Sequence, residues 1–167
     1  MTKSTVEQVD EDMPQPGRCQ YNTVEFTDLP DEGLRITSGF CARDTGGHPT
    51  TCVAHRGERT AAEGEEFAQL VTSMLDAGNP RFQGFVFPVG FGGFRDRVVS
   101  CNANFEKAVF LGDADFTGCR FSGGVSFTEA AFGGSAIFRA SVVTGALCFT
   151  ASQISGDVCF ESVSVDG

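Results

Sequence analysis

No stretch of this chain approaches the roughly 20 consecutive apolar residues that a helix needs to cross a bilayer, so no membrane segment is expected. The opening residues, MTKSTVEQVDEDMPQP, lack the apolar centre of a signal peptide, which makes a cytoplasmic location the expectation. Neither G-x-S-x-G, a P-loop nor H-E-x-x-H occurs, and an enzyme is not expected. Lysine is scarce, with only Lys3 and Lys107 beside ten arginines. Acid-rich, Lys-poor usage suits a salt-adapted host, although GC-rich coding produces the same arginine bias. The net charge is −10, with 14 acids against 7 bases in residues 1–90 and 8 against 5 in residues 91–167. Such acidity disfavours direct binding to nucleic-acid phosphate. Cysteine is present, seven times, but an odd number without a secretion signal speaks for reduced thiols or metal ligands rather than a disulfide framework.

Against these absences stands a strict beat. Large apolar residues recur at Phe105, Phe110, Phe116, Phe121, Phe127, Phe132, Phe138, Val143, Phe149, Ile154, Phe160 and Val165, with gaps of 5 and 6 in turn and a true period of 11. Two residues before each comes a smaller side chain, such as Ala103, Ala108, Ala114 and Cys119. That spacing puts both members of a pair on one side of an extended backbone. Neither 5 nor 6 keeps to a helical stripe, so the beat is β. Glycine keeps the same clock at Gly112, Gly123, Gly134, Gly145, Gly156 and Gly167. The extra residue of each longer unit thus calls for a corner with positive φ or close backbone approach. Short strands that each bury one large and one small side chain must stack to make a core, which is a β-solenoid.

This pattern resembles the pentapeptide-repeat family, whose motif has a central Leu or Phe and a small residue two before it. The match runs from about Phe94 to Gly167 and departs from the motif in the sixth residue of alternate units. The resemblance implies an all-β, right-handed quadrilateral coil of four units, hence 22 residues per coil, with Phe116, Phe138 and Phe160 stacked in one column. Phe105, Phe127 and Phe149 form a second, Phe110, Phe132 and Ile154 a third, and Phe121, Val143 and Val165 a fourth. The rival is a flat coil of 11 residues, which would set Cys148 directly beside Cys159 at strand spacing and allow a disulfide. A coil of 22 residues puts them on opposite faces and is the expectation.

Upstream, residues 1–17 read as a disordered tail. Residues 18–59 read as an irregular segment holding Cys19, Cys41, Cys52, His48 and His55. Cys52 and His55 have C-x2-H spacing, and with Cys19 and Cys41 they would complete a tetrahedral Cys3His structural zinc site. The family resemblance, in which many members carry such a module before a helix, points the same way. The gaps of 22 and 11 residues are loose and no C-x2-C knuckle exists, so unrelated thiols are the alternative. Cys52 and His55 are also a conceivable nucleophile and base, but they are almost adjacent in a region with no evident pocket. Residues 60–80 predict a capping helix, with Thr60 and Glu63 as a capping box, a stripe of Phe67, Leu70, Val71, Met74 and Leu75, and Gly78 and Pro80 as the stop. Residues 81–167 form the solenoid. Its lead-in, with Phe82, Phe85, Phe87, Phe91 and Phe94, is off the beat, and Arg97 in an inward slot predicts a distorted first unit.

The beat runs to Gly167 with no capping element after it. Either the chain is a piece of a longer one, or two copies pack end to end, or a partner covers the end. The expected function is a non-enzymatic scaffold that binds a protein partner or itself through this coil. The alternative, implied by the family, is a mimic of duplex DNA bound by a type II topoisomerase; it requires unbroken negative potential, and Lys107, Arg120 and Arg139 interrupt the exterior acids.

Overall fold

The computed structural model describes residues 22–29, 33–40 and 52–166. The chain forms two compact units, residues 1–52 and residues 53–167. Within the first, β1 (Asn22–Leu29) and β2 (Gly33–Phe40) pair antiparallel in a register that runs from Asn22↔Phe40 to Leu29↔Gly33. Both stretches are rich in Thr, Val, Ile and Phe, which suits a pleated backbone. They lie inside the segment expected to be irregular, where the spacing of the cysteines masked a hairpin pattern.

The first helix or strand of the second unit is α1 (Ala61–Asp76), which lies inside the predicted span 60–80 and stops short of its end. Thr60 Oγ1 accepts from the Glu63 amide at 3.3 Å while Glu63 Oε2 accepts from the Thr60 amide at 2.7 Å. Gly78 takes φ +64 just past the last turn, where glycine alone adopts a left-handed backbone without cost. Of the apolar stripe, Phe67, Val71 and Leu75 are buried, and Leu70 and Met74 are half-buried.

The remainder winds through fourteen two-residue strands into four parallel sheets, one per side of a quadrilateral. The first face holds β5 (Ala103–Asn104), β9 (Val125–Ser126) and β13 (Leu147–Cys148). The second holds β3 (Val86–Phe87), β6 (Val109–Phe110), β10 (Ala131–Phe132) and β14 (Gln153–Ile154). The third holds β7 (Ala114–Asp115), β11 (Ala136–Ile137) and β15 (Val158–Cys159). The fourth holds β4 (Val98–Val99), β8 (Arg120–Phe121), β12 (Val142–Val143) and β16 (Ser164–Val165). Partners such as Val109↔Ala131 and Ala136↔Val158 stand 22 residues apart, which decides for the larger coil.

The expected columns are present. Ring centroids stack at 4.9 Å for Phe105 on Phe127, 4.7 Å for Phe110 on Phe132 and 4.9 Å for Phe116 on Phe138. Neighbouring columns meet edge to face, as Phe105 meets Phe116 at 76°. Both arrangements suit the ring quadrupole and add about 0.5–1.5 kcal/mol per pair beyond burial.

The lead-in belongs to these columns as a complete first coil. Phe82 stacks on Phe105 at 5.1 Å, Phe87 on Phe110 at 4.6 Å and Phe94 on Phe116 at 5.0 Å. It looked off the beat because one extra residue enters between Phe87 and Phe94, so Val86 pairs with Val109 at an offset of 23 but Val98 with Arg120 at 22. Gly90, with φ +74, turns the chain there. Arg97 keeps its backbone in register, its carbonyl accepting from the Arg120 amide at 2.8 Å. Its guanidinium instead reaches Asp76 at the end of α1, at 3.2 Å.

The two corner types divide what the glycine series left open. Positive φ falls on the short units, two residues after the ring, at Lys107, Glu129, Ala140, Ala151 and Ser162 as well as Gly118. The periodic glycines answer to close approach instead. A Cβ on Gly134 would lie 2.7 Å from the Asp113 amide nitrogen, and one on Gly145 would lie 2.7 Å from that of Gly124.

Candidate functional site

The two ends of the solenoid differ in what covers them. At the first coil, the fully buried Phe67 ring of α1 packs edge-on against Phe87 at 5.5 Å and Phe91 at 5.5 Å. The sheet edge is covered as well, since the Val86 amide donates to the Ala54 carbonyl at 2.8 Å. Arg59 locks this cover in place. Its Nε donates to the Val53 carbonyl at 2.8 Å, its Nη2 to the Val86 carbonyl at 2.7 Å, and its guanidinium lies 4.1 Å from the Phe67 ring centre. Arg56, buried, pairs with Glu63 at 2.8 Å. The helix predicted as a cap is therefore seated on the first coil.

At the fourth coil the apolar layer is bare. Phe160 is 46% exposed and Val165 49%, whereas Phe138 and Val143, one coil earlier in the same columns, are fully buried. Each face is a parallel ladder, so an uncovered edge carries both N–H and C=O groups. On the first face the amides of Ala103, Phe105 and Lys107 donate forward to the carbonyls of Gly124, Ser126 and Thr128. On the third face Ala136, Phe138 and Ala140 donate forward to Asp157, Cys159 and Glu161. On the second and fourth faces the bonds that reach past the paired strand residues run back, as Gln153 and Ser155 donate to Ala130 and Phe132, and Ser164 and Asp166 to Ser141 and Val143. Among the described residues no coil lies beyond the fourth. Its edge thus carries N–H donors, among them Leu147, Phe149, Val158 and Phe160, and carbonyl acceptors, among them Ser152, Ile154, Val163 and Val165.

Along the outside, charges alternate and pair. Arg95 meets Asp115 at 3.0 Å, Arg139 meets Glu161 at 3.2 Å, and Lys107 lies 4.0 Å from Glu129 and 3.9 Å from Glu106. These exposed pairs contribute little stability; their effect is to break up the acidic exterior.

The repeat cysteines fall where a 22-residue coil puts them. Cys148 lies on the first face and Cys159 on the third, both as thiols. A hydrogen bond from Thr150 lowers the Cys148 pKa, and one from Arg139 lowers that of Cys159. Cys119 fills an inward slot, donates to the Phe94 carbonyl at 2.7 Å, and burial pushes its pKa up to about 12.

Of the expected metal ligands, Cys19 and Cys41 lie outside the described residues, as does His48. Cys52 and His55 are both buried. His55 Nε2 lies 3.4 Å from the Gln83 carbonyl and its ring meets Phe85 edge-on at 5.4 Å. Among the described residues no three His, Cys, Asp or Glu side chains gather into a metal-binding group.

Residues 105–153 match the family model described as pentapeptide repeats (9 copies). They are pentapeptide repeats. No curated protein and no solved structure matches the chain. The pentapeptide-repeat segment covers the second and third coils and enters the fourth, and the described chain is a β-solenoid scaffold built on it. No helix among the described residues is long and apolar enough to cross a membrane.

Proposed function

We propose that this pentapeptide-repeat chain is a non-enzymatic interaction scaffold that associates through the rim of its fourth coil. The asymmetry of its ends carries the reading. One end is closed by α1, with Phe67 fully buried, while the other leaves Phe160 and Val165 about half exposed. An uncovered coil combines apolar surface with unpaired edge groups, the two ingredients of strand-edge association. The paired exterior charges favour recognition of protein over imitation of a nucleic acid, which needs one unbroken sign. Sedimentation equilibrium across a wide concentration range tests the proposal. The chain self-associates and Val165→Glu is monomeric; a wild-type chain that stays monomeric throughout would overturn it.

We further propose that Cys19, Cys41, Cys52 and His55 hold a structural zinc ion. The donor set suits zinc, since thiolates and an imidazole bind it tetrahedrally. An imidazole whose Nε2–H points at the Gln83 carbonyl carries its lone pair on Nδ1, and such an outer carbonyl is a common partner of a metal-ligating histidine. When bound, zinc would supply folding free energy and no chemistry.

A further inference from the structure

We infer that zinc on Cys52 and His55 fastens the closed end of the solenoid, so that metal binding and the covering of the β3 edge are one coupled event. The inference rests on the zinc reading above and adds what that site controls.

Residues 52–59 cover the first coil without forming a helix or a strand. Cys52, Val53 and Ala54 are buried, as are His55 and Arg56. The Ala54 carbonyl accepts from the Val86 amide at 2.8 Å, in the place that a further strand beside β3 would fill. A side chain serves the other polar group of Val86, since Arg59 Nη2 donates to its carbonyl at 2.7 Å. The same guanidinium reaches back to this strap. Its Nε donates to the Val53 carbonyl at 2.8 Å, and Nη2 lies 3.5 Å from the Ala54 carbonyl. His55 adds its contacts to the first coil, with Nε2 3.4 Å from the Gln83 carbonyl and its ring edge-on to Phe85 at 5.4 Å.

Irregular backbone of this kind has no ladder of its own, and each residue held in place costs conformational entropy. Cys52 and His55 bracket the turn at Val53 and Ala54. One ion held from both sides of that turn closes a short ring around the two residues and keeps the Ala54 carbonyl on Val86. Losing the ion releases the strap, whereas the stacked coils beyond it retain their own ladders. The open form bares the N–H and C=O of Val86, an unpaired strand edge. Such coupling is reciprocal. Arg59 offers no metal-ligating atom, because its guanidinium stays charged. It nevertheless holds the strap closed, so loosening Arg59 weakens zinc binding.

The experiment is amide hydrogen exchange on the full, freshly reduced chain, zinc-replete and after removal of zinc by a chelator. The Val86 amide is expected to exchange at least about tenfold faster without zinc. The Val109 amide, bonded to the Phe85 carbonyl at 2.8 Å one coil further in, keeps its protection. His55→Cys, which retains a ligand and loses the ring, still shows zinc-dependent protection of Val86. His55→Phe, which retains a ring and loses the ligand, shows the fast rate in both conditions. Arg59→Ala lowers zinc affinity roughly fivefold or more in competition with a chelating dye. Zinc that binds while Val86 exchange is the same in both conditions would overturn the coupling and leave the zinc site standing. So would an Arg59→Ala chain with wild-type zinc affinity. Protection lost at Val86 and Val109 together would also overturn it, since zinc would then hold the whole solenoid rather than one end. A chain that binds no zinc removes the zinc reading itself.

Discussion

The rings of Phe110 and Phe132 lie 4.7 Å apart and within 6° of parallel, one directly above the other in successive coils. Each is almost fully buried, so truncation leaves a void between two rings that cannot close over it. Phe132→Ala is expected to cost about 3–5 kcal/mol in denaturant unfolding. Phe160→Ala, at the 46% exposed end of its own column, costs well under half of that in dilute protein. Equal losses would mean that the columns are not the core.

The two corner types respond to substitution in opposite directions. Gly134→Ala drives a Cβ to within 2.7 Å of the Asp113 backbone nitrogen, which cannot yield without shifting a whole coil. A loss of roughly 2 kcal/mol or more is expected. Ala140→Gly, at φ +52, relieves a left-handed strain of about 1–2 kcal/mol, offset in part by the freer unfolded chain. It should be neutral or slightly stabilising. Melting temperatures of the two variants read the difference directly.

Cys119 makes stability fall in alkali. Its pKa rises from 9.0 to about 12 on folding because burial disfavours the thiolate. The unfolded chain therefore releases this proton first, and stability declines between pH 9 and pH 12 by up to about 1.4 kcal/mol per pH unit. Ser141, one coil later in the same slot, is buried with its hydroxyl donating to the Phe138 carbonyl at 2.8 Å. Cys119→Ser thus has a precedent in the fold and should flatten the alkaline limb of a urea-unfolding series. An unchanged limb would assign the decline to other groups.

Much of this architecture was legible before any coordinates, and the reason is physical. A solenoid repeats one local solution, so the spacing of Phe105, Phe110 and Phe116 states the coil size, the columns and the faces together. The capping helix was equally plain, since Thr60, Glu63, Phe67 and Gly78 are each local signals. The lead-in was not, because a single inserted residue near Gly90 shifts every later position and hides Phe82 and Phe87 from a fixed period. Glycine identity alone did not separate positive φ from close approach, as Lys107 and Glu129 adopt the former with full side chains.

Native mass spectrometry of metal-replete, freshly reduced protein should show one zinc per chain, lost in Cys52→Ser together with a lowered melting temperature. Metal-free protein of unchanged stability would leave Cys19, Cys41 and Cys52 as ordinary thiols.

Backbone hydrogen exchange measured at two protein concentrations reads directly whether the rim of the fourth coil is covered. The Leu147, Phe149, Val158 and Phe160 amides should exchange quickly in dilute protein and become protected as concentration rises. Phe127 and Phe138, whose amides are bonded to the carbonyls of Cys148 and Cys159 within the chain, should be protected at both. Rim amides that exchange equally fast at every concentration would contradict association through this end.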